Sequence, residues 1–335
     1  MENQVRLSNI ELCRIFAIIC VLLVHSDFAA LGGPGNLDET SLGLIATECF
    51  SIIGVNVFVL ITGYFSVFPK KKSLFNLSYC CFYYGMMKIG FDIFMGNQLS
   101  IKSFLFITNS NWFITAYIGL LLFAPLINAF CEKATRKQLL GGVILIIIYE
   151  LYMGFFPGFN ARYTGFNGGY SCLSFIVLYL IGRFIRLYGM PDWMKRWSIW
   201  LYIACSLLLT FVMYAVLHAN QEKMTNHAMG LLLAYNNPLT ILSSVCFFLT
   251  FEKMNFRNNL VNYLAKSVLG VLLVQCSSQY SFYWIKNFNY INRSFEGITL
   301  MNLWIVSILA TFLFAVILDQ GRIYSYDKIV KFLKL

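Results

Sequence analysis

The stretch "CRIFAIICVLLVH", Cys13 to His25, is apolar almost throughout, yet it carries an arginine near one end and a histidine at the other. An arginine at the centre of a membrane helix costs on the order of 2.5–3.5 kcal/mol on insertion scales, so its presence asks for a reason. The lead "MENQVRLSNIE" (1–11) is weakly basic, and "DFAALGG" (27–33) imitates a signal cleavage site. Arg14, however, interrupts the apolar core that a secretion signal needs. The segment therefore reads as a retained first helix.

The rest of the chain decides what surrounds that helix. Of its 335 residues 59% are hydrophobic and only 12% charged, about half the charge of an ordinary soluble domain. Mean hydropathy is +0.69, and long apolar runs recur from end to end. This composition predicts an all-α polytopic membrane protein of a single domain, 1–335, with short charged connectors and no soluble domain. The net charge of +10 is scattered through short loops rather than gathered on one face, which argues against a nucleic-acid partner. The ten cysteines lie mostly inside apolar segments, as in "SYCCFYY" (78–84), with neither metal-ligand spacing nor a disulfide framework.

A span of about 20 apolar residues crosses the hydrocarbon layer. That rule predicts helices near 9–30, 42–65, 75–95, 112–130, 138–156, 169–188, 197–218, 231–251, 260–283 and 299–318. In the eighth, "YNNPLT" (235–240) breaks the first half, with Pro238 either a kink or a helix start. With both termini cytoplasmic, Lys and Arg divide 18 inside against 5 outside, the five being Lys102, Arg162, Lys223, Lys286 and Arg293. This split supports about ten transmembrane helices with cytoplasmic termini.

Arg14 and His25 are eleven positions apart, so their side chains lie within roughly 20° of one helix face and about 16 Å apart along the axis. Glu11 shares the face of Arg14 and is its natural partner. One reading has Arg14 snorkelling to the interface and His25 as a satisfied polar residue. The other places both on a polar path through the bundle. Glu48, Ser51, Asn56 and Thr62 in the second helix favour the path, while Lys88 and Asp92 in the third read as a structural ion pair.

With its Arg-x10-His spacing, "NIELCRIFAIICVLLVH" (9–25) resembles the opening signature of the acyltransferase-3 family of membrane acyltransferases. "GVNVFVLITGYF" (54–65), "NWFITAYIGLLLFAPLIN" (111–128), "LYLIGRFIR" (178–186) and "YNNPLTILSSVCFFLTFEK" (235–253) resemble later segments of that family, especially of members that modify bacterial surface polysaccharides. One departure is "GVLLVQ" (270–275), where Gln275 stands at a position that is often histidine in the family. His218 and His227 fall in an expected outer loop and are not recruited, so the chemistry rests on His25.

The resemblance implies transfer of an acetyl or similar acyl group from acetyl-CoA, a co-substrate, to a hydroxyl of a cell-surface or lipid-linked glycan. It implies no bound cofactor or metal, and a multi-pass location in the bacterial inner membrane, among its lipids. Arg14 would hold a donor phosphate with its rigid fork of N–H groups. The lysines of "PKKKS" (69–73), Lys70, Lys71 and Lys72, would assist at the inner surface; positive-inside topology and lipid headgroup contact are the plainer explanation of them. His25 would be the general base, taking the proton of the attacking hydroxyl, with Asp27 or Glu48 as orienting partner; a nucleophilic role through an acetyl-histidine intermediate is the alternative, and the base needs fewer assumptions. Glu48, Asn56, Trp112 and Tyr117 are supporting or acceptor-side candidates; for Trp112 and Tyr117 the aromatic belt at the outer interface is the plainer explanation. The outer loops 157–171 and 284–298 are candidates for the acceptor side. A transporter or flippase of lipid-linked sugars shares the composition and the basic inner face. It would not need an arginine and a histidine on one face, and the two-fold internal repeats of many transporters are not visible. A polytopic scaffold without chemistry would leave Arg14 and His25 unexplained.

Overall fold

The structure is a computed structural model that describes residues 6–26, 42–107, 111–156, 164–218, 228–276 and 278–333. Every regular element among the described residues is helical. α1 covers Ser8–Val24, α2 Leu42–Ser51, α3 Gly54–Phe65 and α4 Lys71–Phe94. α5 runs from Trp112 to Lys133; α6, Arg136–Glu150, continues as a π-helical turn over Leu151–Phe155. α7 (Cys172–Tyr188), the short α8 (Asp192–Arg196) and α9 (Ser198–Leu217) follow. α10 spans Pro238–Glu252, α11 Asn259–Leu264, α12 Val268–Gln275, α13 Ser278–Ser294 and α14 Gly297–Leu333.

Among the described residues, five stretches are long and apolar enough to cross a membrane: Leu42–Phe65, Trp112–Lys133, Arg136–Phe155, Ser198–Leu217 and Gly297–Leu333. Pro238–Glu252 and Asn259–Gln275 are shorter apolar segments. On α14, Trp304, Ile308, Phe312 and Ala315 are buried, while Ile305, Leu309, Leu313 and Ile317 face outward. An outward face this apolar suits lipid rather than water.

Local chemistry sets several boundaries. The Asn111 side chain accepts from Phe113 N at 2.7 Å and opens α5. Thr135 and Gln138 form a reciprocal capping box at the start of α6. Pro238 proves to be a helix start: it occupies the first turn of α10 behind Asn237, whose Oδ1 accepts from Leu239 N at 2.8 Å.

Towards the C-terminus the structure differs most from the sequence reading. α14 runs to Leu333 rather than 318, and the ninth segment stops at Gln275 rather than 283. Residues 278–294, partly read as an outer loop, form α13. Its buried side chains Trp284, Phe288 and Ile291 recur at helical spacing, and Trp304 Nε1 donates to Asn292 at 2.7 Å.

The backbone divides into two compact units interleaved along the chain, 1–68 with 116–261 and 69–115 with 262–335. In the first, α1 lies antiparallel to α3. Arg14 stands by Phe65, whereas a Cβ on Gly54 would sit 2.7 Å from the Ala17 carbonyl oxygen. α3 and α7 cross at Gly63 and Gly182, where each lacks room for a side chain against the other helix's backbone. Asn9 Nδ2 donates to Phe251 O at 3.0 Å, and Tyr202 OH to Phe50 O at 2.8 Å. In the second unit, Asp319 is fully buried and held by Arg322 through two bonds of 2.6 and 2.9 Å and by Tyr84 OH at 2.8 Å.

Candidate active site

α1 is regular from Ser8 to Val24, and His25 caps it with its N–H on Val21 O at 3.1 Å. The eleven-residue separation of Arg14 and His25 therefore keeps its rise of about 16 Å. Arg14 Nη1 bonds Glu11 Oε1 at 2.9 Å, as their spacing predicts, and Glu11 is buried. The Arg14 guanidinium stands over the Phe65 ring, 5.6 Å from its centroid. Its side chain is 31% exposed, so a ligand can reach donors that Glu11 does not occupy.

A second arginine escaped the sequence reading. Arg186 Nη1 donates to Tyr64 OH at 3.1 Å, and its guanidinium lies 5.0 Å from the Tyr64 ring centroid. The consecutive rings of "TGYF" (62–65) thus meet one arginine each, Arg186 from α7 and Arg14 from α1. The close crossing at Gly63 and Gly182 sets up this arrangement. It is fixed further by Asn128, which donates to Val67 O at 3.1 Å and accepts from Tyr179 OH at 2.8 Å.

Tyr117 hydrogen-bonds the Thr62 side chain and lies near Arg14. Asn56 is fully buried and donates to Tyr235 O at 2.8 Å. Glu48 is also buried and lies near Tyr170. His25 itself is half-buried at the end of α1 opposite Arg14. Asp27 and His227 lie outside the described residues. His218 is stacked on Tyr214 with Nδ1 2.9 Å from Tyr214 O.

The remaining candidates belong to the second unit. Lys70, Lys71 and Lys72 are exposed at the N-terminal end of α4. Cations there oppose the helix dipole, so they are not placed for the helix's own stability. Trp112 begins α5 with its ring edge-on to Phe113, and Gln275 ends α12, buried. No group of metal-ligating side chains occurs among the described residues.

The family model for the acyltransferase domain of the acyltransferase-3 type matches residues 7–319. The chain belongs to the acyltransferase-3 family. The match runs through both compact units and covers all five sequence segments that resemble the family, Arg14 and His25 included. No curated protein and no solved structure matches the chain. As an acyltransferase-3 member with five helices able to span a bilayer, it is a multi-pass membrane protein of acyltransferase type.

Proposed function

We propose that this acyltransferase-3 protein is an inner-membrane O-acyltransferase that moves an acetyl group from acetyl-CoA to a hydroxyl of a cell-surface or lipid-linked glycan. The observation that carries this reading is the layout of α1. Arg14, fixed by Glu11 and Phe65 yet still partly exposed, stands at one end, and His25 about 16 Å away at the other. That distance suits a donor with a polyanionic nucleotide at one end of a long pantetheine arm and a thioester at the other. Arg14 binds the anionic end through its fork of donors. His25, as general base, takes the acceptor hydroxyl's proton while the oxygen attacks the thioester carbonyl carbon. The C–S bond then breaks, and the proton passes to the departing CoA thiolate.

The charge distribution supports ten spans with both termini cytoplasmic, which puts Arg14 on the donor's side. Lys70–Lys72 draw the polyanionic donor towards the inner surface by long-range attraction. The test uses purified protein in nanodiscs, following binding and consumption of labelled acetyl-CoA. Saturable binding with slow hydrolysis supports the reading. Folded protein that neither binds nor consumes acetyl-CoA overturns it and favours a transporter of lipid-linked sugars.

A further inference from the structure

Within the first unit, a cluster of polar side chains gathers around Asn236. It is drawn from α2, α3, α6, the segment 164–171 and the residues leading into α10. Asn236 is 1% exposed, and neither its Oδ1 nor its Nδ2 has a hydrogen-bond partner among the described residues. Glu150, also 1% exposed, has neither carboxylate oxygen bonded; the Ser174 hydroxyl lies beside it without reaching standard hydrogen-bond geometry. Asn56 uses its Nδ2 on Tyr235 O but leaves Oδ1 unpartnered. Glu48 and Tyr170 complete the group, with the Tyr170 ring 4.8 Å from that of Tyr235.

The backbone holds these residues close. Gly154, in the π-helical turn after Glu150, has no room for a side chain, because a Cβ there would lie 2.7 Å from Phe166 Cβ and 3.0 Å from Asn236 Nδ2. Gly169, at φ +92°, would put a Cβ 2.8 Å from Asn236 N, and Tyr235 N donates to Gly168 O at 3.0 Å. π-helical turns recur at functional sites. Buried polar atoms are rarely left without partners, so three such residues converging here call for a ligand that supplies both donors and acceptors.

We infer that this cluster binds the acceptor, and that the acceptor's bound portion is a neutral saccharide. The inference rests on the proposed acyltransferase reading and names its acceptor side. Vicinal hydroxyls each donate and accept, which matches two carboxamides, two carboxylates and a tyrosine pair. Among the described residues the cluster contains two carboxylates and no cation, which disfavours a phosphate or uronate at this position. In the proposed reaction the hydroxyl of the saccharide bound here is the one that His25 deprotonates.

The test uses full-length protein in nanodiscs with labelled acetyl-CoA. The probes are neutral methyl hexosides, with methyl β-glucuronide as the anionic comparison. The wild type should acetylate at least one neutral glycoside saturably and prefer it to the glucuronide. Asn236→Ala, and the isosteric Glu150→Gln in case the first variant fails to fold, should each raise the glycoside KM about tenfold or more while the acetyl-CoA Kd stays within about twofold. Loss of acetyl-CoA binding by the wild type would defeat the acyltransferase reading itself. Acetyl-CoA binding and hydrolysis without acetylation of any neutral glycoside, a preference for the glucuronide, or an unchanged glycoside KM in a folded Glu150→Gln variant would overturn the acceptor-site inference alone.

Discussion

Arg14 holds its guanidinium over the ring of Phe65, 5.6 Å from the centroid, while its Nη1 stays on Glu11 at 2.9 Å. Ring and carboxylate together fix the plane of the fork and leave the other donors facing outward. A lysine keeps the charge but loses both the planar stacking and the fork. Arg14→Lys should therefore weaken acetyl-CoA binding by about tenfold, measured by isothermal titration, with little change in thermal stability. An unchanged affinity would remove Arg14 from donor binding.

The crossing of α3 and α7 makes a stability prediction. A Cβ on Gly182 would lie 2.9 Å from Tyr64 N and 3.1 Å from Gly63 Cα, besides meeting the Leu60 carbonyl. A Cβ on Gly63 would meet the Tyr179 backbone. Gly63→Ala and Gly182→Ala should each destabilise the protein by about 1–3 kcal/mol, as overpacked cores do. Thermal unfolding in detergent reads the loss. Because the crossing also aligns Tyr64 with Arg186, activity should fall alongside stability.

The second unit carries a buried ion pair whose two possible cuts differ in consequence. Asp319→Ala would leave Arg322 buried and unpaired, for a loss of about 3–5 kcal/mol. Tyr84→Phe removes only the hydroxyl at 2.8 Å from Asp319 and should cost about 1 kcal/mol. Denaturation in mixed micelles should rank the two variants in that order; equal effects would argue against a buried charge network.

In the proposed function Lys70–Lys72 act through long-range attraction, which salt screens over about 10 Å at 0.1 M. Replacing all three by glutamine should raise the KM for acetyl-CoA at low ionic strength, with the difference shrinking as salt is added. A KM shift of the same size at every salt concentration would mean direct contact with the donor instead.

The legible parts of the fold are those with local causes. Asn237-Pro238 reads as a helix start because cap and fixed φ act within two residues, and Glu11–Arg14 because their spacing puts them on one face. α13 was obscured because Trp284, Phe288 and Ile291 alternate with polar residues, so average hydropathy falls although the periodicity is helical. Arg186 could not be linked to Tyr64 from sequence, since 122 residues separate them. Glu150 and Asn236 are single polar residues in or beside apolar runs. Only the fold shows that their buried atoms converge. The placement of Tyr117 against Thr62 was hidden in the same way, since the two lie far apart along the chain.

The central claim is that one helix carries both donor binding and proton transfer, at opposite ends. The most direct measurement compares wild type, Arg14→Ala and His25→Ala in nanodiscs, with acetyl-CoA binding and acetyl turnover recorded on the same samples and thermal unfolding as the folding control. The account predicts that Arg14→Ala loses acetyl-CoA binding, whereas His25→Ala binds the donor with wild-type affinity but does not turn it over. Folded His25→Ala protein that still turns over acetyl-CoA at the wild-type rate would contradict it.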